Sequence, residues 1–263
     1  MKKVSIVTSY YNRKKQFINT LNSILLQNYN CELEIIVVDD VSNEEHKLYD
    51  INDLFPTLDI KLLTITKEEK WWVNTCVPYN KGFAMATGDV IIIQDAECLH
   101  MGNIIQATVD NIEKNKYLVF GCYMINIAET NAISNLEFDN KYINNIIDII
   151  TPIKNRCAFN GSDSAWYQHS RYRPEALHFC TAITREDLDE LGGFDERFAN
   201  GFAKEDRELI MRIRRKRMSI VMFDNLIVLH QQHDPSKYYP DITRINRDLY
   251  QKAMTENIIK ANE

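Results

Sequence analysis

Along the first hundred positions, short β-branched apolar runs alternate with stripes of helical period. Val4-Ser5-Ile6-Val7-Thr8, Glu34-Ile35-Ile36-Val37-Val38, Ile60-Lys61-Leu62-Leu63-Thr64-Ile65 and Asp89-Val90-Ile91-Ile92-Ile93 read as four strands. Between the first two, Lys14 to Gln27 places Phe17, Ile18, Leu21, Ile24 and Leu25 along one helix face. Asn80 to Ala86 reads as a short helix closed by Thr87-Gly88. Strand, helix and strand in this order predict right-handed crossovers and a mainly parallel sheet.

Beyond residue 97 the pattern is less regular. Ile104 to Lys114 predicts a helix, Tyr117 to Tyr123 a strand, and Leu177 to Thr184 another strand. Glu205 to Lys216 predicts a helix with Glu205, Asp206 and Glu208 in its first turn and Arg212, Arg214, Arg215 and Lys216 in its last, a charge order that matches the helix macrodipole. Ile220 to Phe223 and Leu226 to Leu229 read as two short strands leading into His230-Gln231-Gln232-His233, and Thr243 to Lys260 as a final helix. Residues 126 to 175 are rich in Asn, Asp, Ser and aromatics, with Asn160-Gly161 as a turn signal, and read as a long functional loop. The expectation is an α/β protein of three α/β/α layers. Residues 1–240 would form one domain with halves at 1–98 and 99–240, and residues 241–263 a helical tail.

Bulk properties narrow this picture. At 263 residues, 45% hydrophobic and 26% charged, the chain is of ordinary globular composition and long enough for a full α/β core. The net charge of -6 argues against general nucleic-acid binding and leaves room for a local basic pocket. No run approaches the roughly 20 apolar residues that a bilayer requires. The opening MKKVSIVTSYYNR is broken by Ser5, Thr8 and Ser9 and reads as a first strand, not a signal peptide. Cys31, Cys76, Cys98, Cys122, Cys157 and Cys180 are scattered without a C-x-x-C, which fits reduced thiols in a cytosol-like compartment. The expected setting is cytoplasmic, soluble or peripheral to a membrane.

Four groups of polar residues fall at the ends of predicted elements. Asp95-Ala96-Glu97 follows the apolar run at 90–93. Ligands bind open α/β sheets past the carboxyl ends of their strands. Alternate residues of an extended segment point the same way, so both carboxylates can meet one divalent cation, or one the cation and the other a sugar hydroxyl. Asp39-Asp40 follows the second strand, Glu205-Asp206 opens a helix, and His230 and His233 follow the last strands. Each group also has a plain structural reading: a polar turn, a cap, a complement to the macrodipole, a pair of unremarkable histidines. Arg214 to Arg217 reads as a solvated helix end.

Taken together, the four groups give the chain a resemblance over about residues 2–235 to the inverting family 2 glycosyltransferases of the GT-A fold. VSIVTSYYNR is similar to the family's opening strand and donor-binding loop, and EIIVVDDVS to its second strand. YNKGFAMATGDVIIIQDAE is similar to the N-x-G…A-x-G-D-x-I…D-x-D block, with Glu97 in place of the second aspartate. GGFDERFANGFAKEDRELIMRI is similar to the G-G-F-D-E…E-D block, without the tryptophan-rich loop of galactosyltransferase relatives. LHQQHD resembles the metal-histidine segment of galactosyl- and N-acetylgalactosaminyltransferases.

The resemblance implies a nucleotide-sugar-binding half over 1–98 and an acceptor-binding half over 99–240. It implies a UDP-sugar donor, a carbohydrate or glycoconjugate acceptor, and no nucleic acid. Thr8, Tyr10, Asn12, Arg13, Asp39, Asn80, Gly82, Asp95 and Ala96 are the implied donor-binding residues. Asp95, Glu97 and His233, with His230 as second choice, are the implied ligands of Mn²⁺ or Mg²⁺, and imidazole favours Mn²⁺. Asp206 is the implied catalytic base, and Glu205, Trp166 and Phe202 the implied acceptor contacts. Trp71, Trp72 and Trp166-Tyr167 offer faces for sugar rings or uracil, or bulk for the core. Residues 155–175 are expected to form a lid or acceptor segment. Two other readings stay open, a sugar-nucleotide nucleotidyltransferase and a non-catalytic nucleotide-sugar-binding module. The first would call for a glycine-rich phosphate loop, and Thr8 to Arg13 contains no glycine.

Overall fold

A computed structural model describes residues 2–150, 165–233 and 240–263. Its strands are β1 (Lys3–Tyr10), β2 (Glu32–Asp39), β3 (Asp59–Thr64), β4 (Val90–Gln94), β5 (Cys98–Met101), β6 (Lys116–Met124), β7 (Trp166–Gln168), β8 (Cys180–Thr184) and β9 (Ser219–His230). All belong to one sheet in the order β3-β2-β1-β4-β8-β6-β9-β5, with β7 on β6. The β3-β2-β1-β4 half is parallel throughout, as the strand–helix alternation predicts. β8 then runs antiparallel to both β4 and β6, and β9 runs parallel to β6.

Period-2 burial on both faces explains the unbroken apolar runs. Val4, Ile6, Ile35, Val37, Val90 and Ile92 face one core, which is closed by α1 (Lys14–Leu25), α2 (Ile51–Leu54) and α4 (Ile104–Asn111). Val7, Ile36, Val38, Ile91 and Ile93 face the other, closed by α3 (Cys76–Met85), α7 (Arg185–Leu191) and α8 (Glu205–Arg215). This is the expected three-layer α/β/α arrangement. Each such buried side chain contributes about 1.5–3 kcal/mol relative to exposure. A third cluster joins Leu99, Tyr123 and Leu229 to α5 (Ile127–Ser134) and to the helical residues 142–150, here α6.

Several expectations need correction. Residues 126–175 are not uniformly irregular, because Asn126 and Glu129 form a reciprocal capping box that starts α5. The Asn160-Gly161 turn, Cys157 and the first part of the expected 155–175 lid lie outside the described residues. The helix expected from Asn80 begins at Cys76, whose amide donates to Asn74 Oδ1 (2.9 Å), with Pro78 tolerated in the first turn. The two short strands expected at 220–229 are one strand. β9 slips register opposite Phe120 and Gly121, so Asp224 to Leu226 bulge without ending it. β5, four residues long, carried no legible signal of its own.

The tail helix α9 (Pro240–Thr255) ends sooner than Lys260 and is docked on the body of the protein. Arg215 donates to the carbonyls of Ala253 (2.7 Å) and Ile258 (3.1 Å), and Asn262 to those of Gly192 (2.8 Å) and Phe194 (2.7 Å). Cys31, Cys76, Cys98, Cys122 and Cys180 are free thiols. Among the described residues no helix is long and apolar enough to cross a membrane.

Candidate active site

The carboxyl ends of β1 and β4 open on the same side of the sheet, and the chain returns to that edge through β5 and β9. Antiparallel pairing sets Cys98 opposite His230, which brings the residues just outside the pair together. Gln231, fully buried, fastens them. Its amide donates to the Glu97 carbonyl (3.2 Å), and its side chain donates to the carbonyls of Glu97 and Gln16 (3.0 Å each) while accepting from Asn19 (2.8 Å). Thr20 Oγ1 donates to the Ala96 carbonyl (2.9 Å). The two histidines are thereby presented to Glu97 by a rigid segment.

Glu97 Oε1 lies 3.0 Å from His233 Nε2, 3.4 Å from His230 Nε2 and 3.5 Å from Arg13 Nε. Arg13 Nη2 is also 3.3 Å from His233 Nδ1. Ligand atoms of Glu97, His230 and His233 all fall within 4.8 Å of one another. Burial would raise the Glu97 carboxyl. The Arg13 charge and the hydrogen bonds from both imidazoles outweigh that, holding it well below the usual carboxylate range. Among the described residues its second oxygen, Oε2, is buried without a hydrogen-bond partner, as is His230 Nδ1. A buried ionised oxygen without a partner costs free energy that a bound cation would recover. Two imidazoles and one carboxylate form a donor set suited to a first-row divalent metal, so these residues fit Mn²⁺.

Asp95 does not belong to that trio. Its Oδ1 accepts from Tyr79 OH (2.9 Å) and lies 3.8 Å from His178 Nε2. Burial raises its pKa, partly countered by His178. Tyr79 is itself buried and packs against Phe83, Phe194 and the His178 ring.

Glu205 and Asp206 open α8 after two successive non-glycine residues in the left-handed region, Ala203 (φ 61) and Lys204 (φ 80). Such conformations persist where the surroundings over-determine them, and they cluster at working sites. Asp206 is half-buried, its Oδ1 accepting from the Arg207 amide (2.6 Å). Glu205 points inward, where its Oε2 accepts from Asn74 Nδ2 (2.8 Å). Burial and the Asp206 charge push the Glu205 carboxyl up to about 7, against the opposing charge of His178. His178 therefore lies electrostatically between Asp95 and the start of α8.

The Glu205 shift has a consequence for stability. An unfolded glutamate releases its proton near 4.5, whereas the folded protein keeps it until about 7. The folded state binds the extra proton in that window, so stability falls as pH rises through it and levels off above. Glu205→Gln should be more stable than the parent at about pH 8, by at most on the order of 3 kcal/mol, and equal to it near pH 4.5. Urea unfolding at both values checks this, and a gap independent of pH would refute it.

The other residues implied by the resemblance are placed as follows. Asn12 Oδ1 accepts from the Asn43 amide (2.7 Å), tying the loop after β1 to the loop after β2. Thr8 and Ala96 are buried, and buried Tyr10 donates its hydroxyl to the His46 carbonyl (2.6 Å). Asp39 is fully buried, accepting from the Ser42 amide (2.8 Å) and Lys47 Nζ (3.0 Å). Asn80 grips the GGF turn through Phe194 N (2.9 Å) and Phe194 O (2.8 Å). Gly82 faces the core: a Cβ there would stand 2.5 Å from Val7 Cγ1, so the missing side chain allows α3 to lie close on β1. Trp166 packs edge-on against Tyr123 and stacks with Tyr172, while Tyr167 and Phe179 both pack against the His230 ring. Phe202 is exposed, Trp71 is exposed, and Trp72 is buried with its Nε1 on Asp40 (3.0 Å). Sequence reasoning missed Tyr79, His178 and Gln231. The first two come together only through tertiary packing, and the third was hidden inside the H-x-x-H spacing.

Comparison with known proteins bears on this arrangement. Residues 5–177 match the model of Glycosyl transferase family 2, and residues 165–234 that described as N-terminal domain of galactosyltransferase. Glycosyltransferase GlyG of Streptococcus pneumoniae is 30% identical over 121 residues, 46% of this chain and 38% of that protein. Human polypeptide N-acetylgalactosaminyltransferase 10 is 30% identical over 130 residues, 48% of this chain and 20% of that protein. The chain thus spans less than half the length of the curated relatives it matches. Among solved structures, S. aureus TarS in complex with UDP superposes with a TM-score of 0.63 at 15% identity, covering 99% of this chain and 67% of that one. The mannosyltransferase PcManGT of Pyrobaculum calidifontis, in complex with GDP-Man and Mn²⁺, gives 0.57 at 18% identity, covering 96% and 63%. GalNAc-T7 with UDP, GalNAc and Mn²⁺ gives 0.59 at 16% identity, covering 89% and 44%. The likeness to these structures is one of fold, and the fold is the GT-A arrangement expected above.

Proposed function

Because the chain belongs to Glycosyl transferase family 2, we propose that it is a metal-dependent, inverting glycosyltransferase. It would move a hexose or N-acetylhexosamine from a UDP-sugar to a hydroxyl of a glycan or glycoconjugate. The observation that carries this reading is the buried Glu97 carboxylate, flanked by His230, His233 and Arg13, with one oxygen left without a partner among the described residues.

Glu97, His230 and His233 would hold Mn²⁺, which when bound supplies charge neutralisation to the departing diphosphate. The remaining chemistry falls to the chain's own groups. Arg13, beside this trio, is suited to pair with a phosphate oxygen by charge-assisted hydrogen bonds. Asp95, oriented by Tyr79 and His178, is suited to accept from a hydroxyl of the donor. Asp206 takes the proton from the acceptor hydroxyl. That oxygen bonds to the anomeric carbon as the bond to the diphosphate breaks, and a single displacement inverts the carbon. Phe202 and Trp71 are exposed and would offer faces for the acceptor's sugar rings. A peripheral contact with a membrane would follow if the acceptor is lipid-linked.

A panel of UDP-sugars, titrated calorimetrically with Mn²⁺ present and then followed for UDP release, tests the reading. One sugar nucleotide should bind and slowly release UDP without added acceptor, and release should stop in excess EDTA. Dependence on pyrophosphate would favour a nucleotidyltransferase. Tight UDP binding with no turnover would favour a binding module.

A further inference from the structure

The second family match ends at residue 234, so α9 lies outside both matched regions. Yet α9 holds the turn that presents Asp206. Asn246, fully buried in α9, donates through Nδ2 to the carbonyls of Phe198 (3.0 Å) and Ala203 (2.8 Å). Gly201 packs so closely on this amide that a Cβ there would meet Asn246 Oδ1 at 2.1 Å. The Phe202 amide donates to the Ile242 carbonyl (3.0 Å), and Lys204 Nζ stands 5.9 Å over the Tyr250 ring. On the opposite side, Asn74 Nδ2 reaches the Gly201 carbonyl (3.4 Å) as well as Glu205.

We propose that Asn246 is a positioning residue for sugar transfer, acting through Asp206, and that the tail helix is thereby part of the active site. The proposal rests on the reading of Asp206 as the base. Its physical basis is the strained pair Ala203-Lys204, whose positive φ values turn the chain into α8. The Lys204 carbonyl accepts from the Glu208 amide (3.0 Å) and so starts the helix, and Asp206 sits within that first turn. Asn246 pins the Ala203 carbonyl, in the peptide that joins the strained pair, and the Phe198 carbonyl at the beginning of the loop. Without its amide both carbonyls lose a buried donor. The left-handed pair then relaxes toward ordinary φ, rotating the first turn of α8 and moving the Asp206 carboxylate.

The test uses the full chain with Mn²⁺ and the sugar nucleotide that it turns over. Asn246→Ala removes the donor, and Gly201→Ala pushes the same amide away from the other side. Asp248→Ala, an exposed change on α9, serves as control. Both perturbing variants should lose about 10- to 100-fold in kcat, the scale of a misplacement near 1 Å. The donor KM and calorimetric UDP affinity should stay within about twofold. Amide exchange at residues 205–208 should accelerate, while Asp248→Ala matches the parent. Parental kcat in Asn246→Ala and Gly201→Ala, or a loss of kcat that tracks an equal loss of UDP affinity, would overturn the proposal. Failure of the base assignment looks different: Asp206→Asn would retain full turnover while Asn246→Ala loses it. That outcome would overturn the route through Asp206 together with the base assignment.

Discussion

Asp206→Asn is expected to lower sugar transfer by about 10²- to 10⁴-fold, the usual contribution of a positioned general base. The amide keeps the carboxylate's shape and can still accept from the Arg207 backbone amide at the start of α8. What disappears is the ability to take a proton from the acceptor hydroxyl. Asp206 is not among the clustered Glu97, His230 and His233 ligand atoms, so donor affinity should remain within about twofold, the signature of an interaction made only in the transition state. Single-turnover transfer beside calorimetric UDP binding separates the two quantities. Full turnover by the variant would remove Asp206 from the base role.

The second large effect is expected at Glu97. Glu97→Gln retains an oxygen toward His230 and His233 but discards the negative charge that the Arg13 guanidinium and any bound cation both require. Manganese affinity should fall on the order of 100-fold or more, since even groups that merely orient metal ligands are worth about 10- to 100-fold. Asp95→Asn should have a smaller effect on the metal, because Asp95 faces Tyr79 and His178 and is not among the clustered ligand atoms. Titration of each variant with Mn²⁺, without nucleotide, measures this order. Equal losses at 95 and 97 would restore the simple paired-carboxylate arrangement expected from D-x-E alone.

That comparison also marks how far the sequence could be read. The parallel half was legible because β1, β2 and β4 are buried on both faces, and continuous β-branched runs have few other uses. The antiparallel half was less so. β5 is four residues long, and its role in bringing Glu97 to His230 depends on pairing with a strand more than a hundred residues away. The approach of one imidazole to Glu97, His233 first and His230 as second choice, was the expectation; the structure brings both histidines to it, and Asp95 is not in the cluster. An extended segment would aim residues 95 and 97 alike. The chain instead turns between β4 and β5, with the Cys98 amide donating to the Asp95 carbonyl (3.0 Å), and the two carboxylates find different partners: Tyr79 for Asp95, His230 and His233 for Glu97. His178 carried no local signal, and its place beside Asp95 follows from β8 pairing with β4 and from the Asp95 amide donating to the Phe179 carbonyl (3.2 Å). Gly82 and Asn80 matched a nucleotide-binding block by residue type; in the structure Gly82 lets α3 lie close on β1, and Asn80 holds the GGF turn.

The most direct measurement is anomalous scattering at the manganese edge from crystals grown with Mn²⁺ and UDP. A single peak is predicted within coordination distance, about 2–2.5 Å, of the Glu97 carboxylate and at least one imidazole of His230 and His233. A cleft containing UDP with no such peak, or with manganese held away from Glu97 and both histidines, would contradict the account.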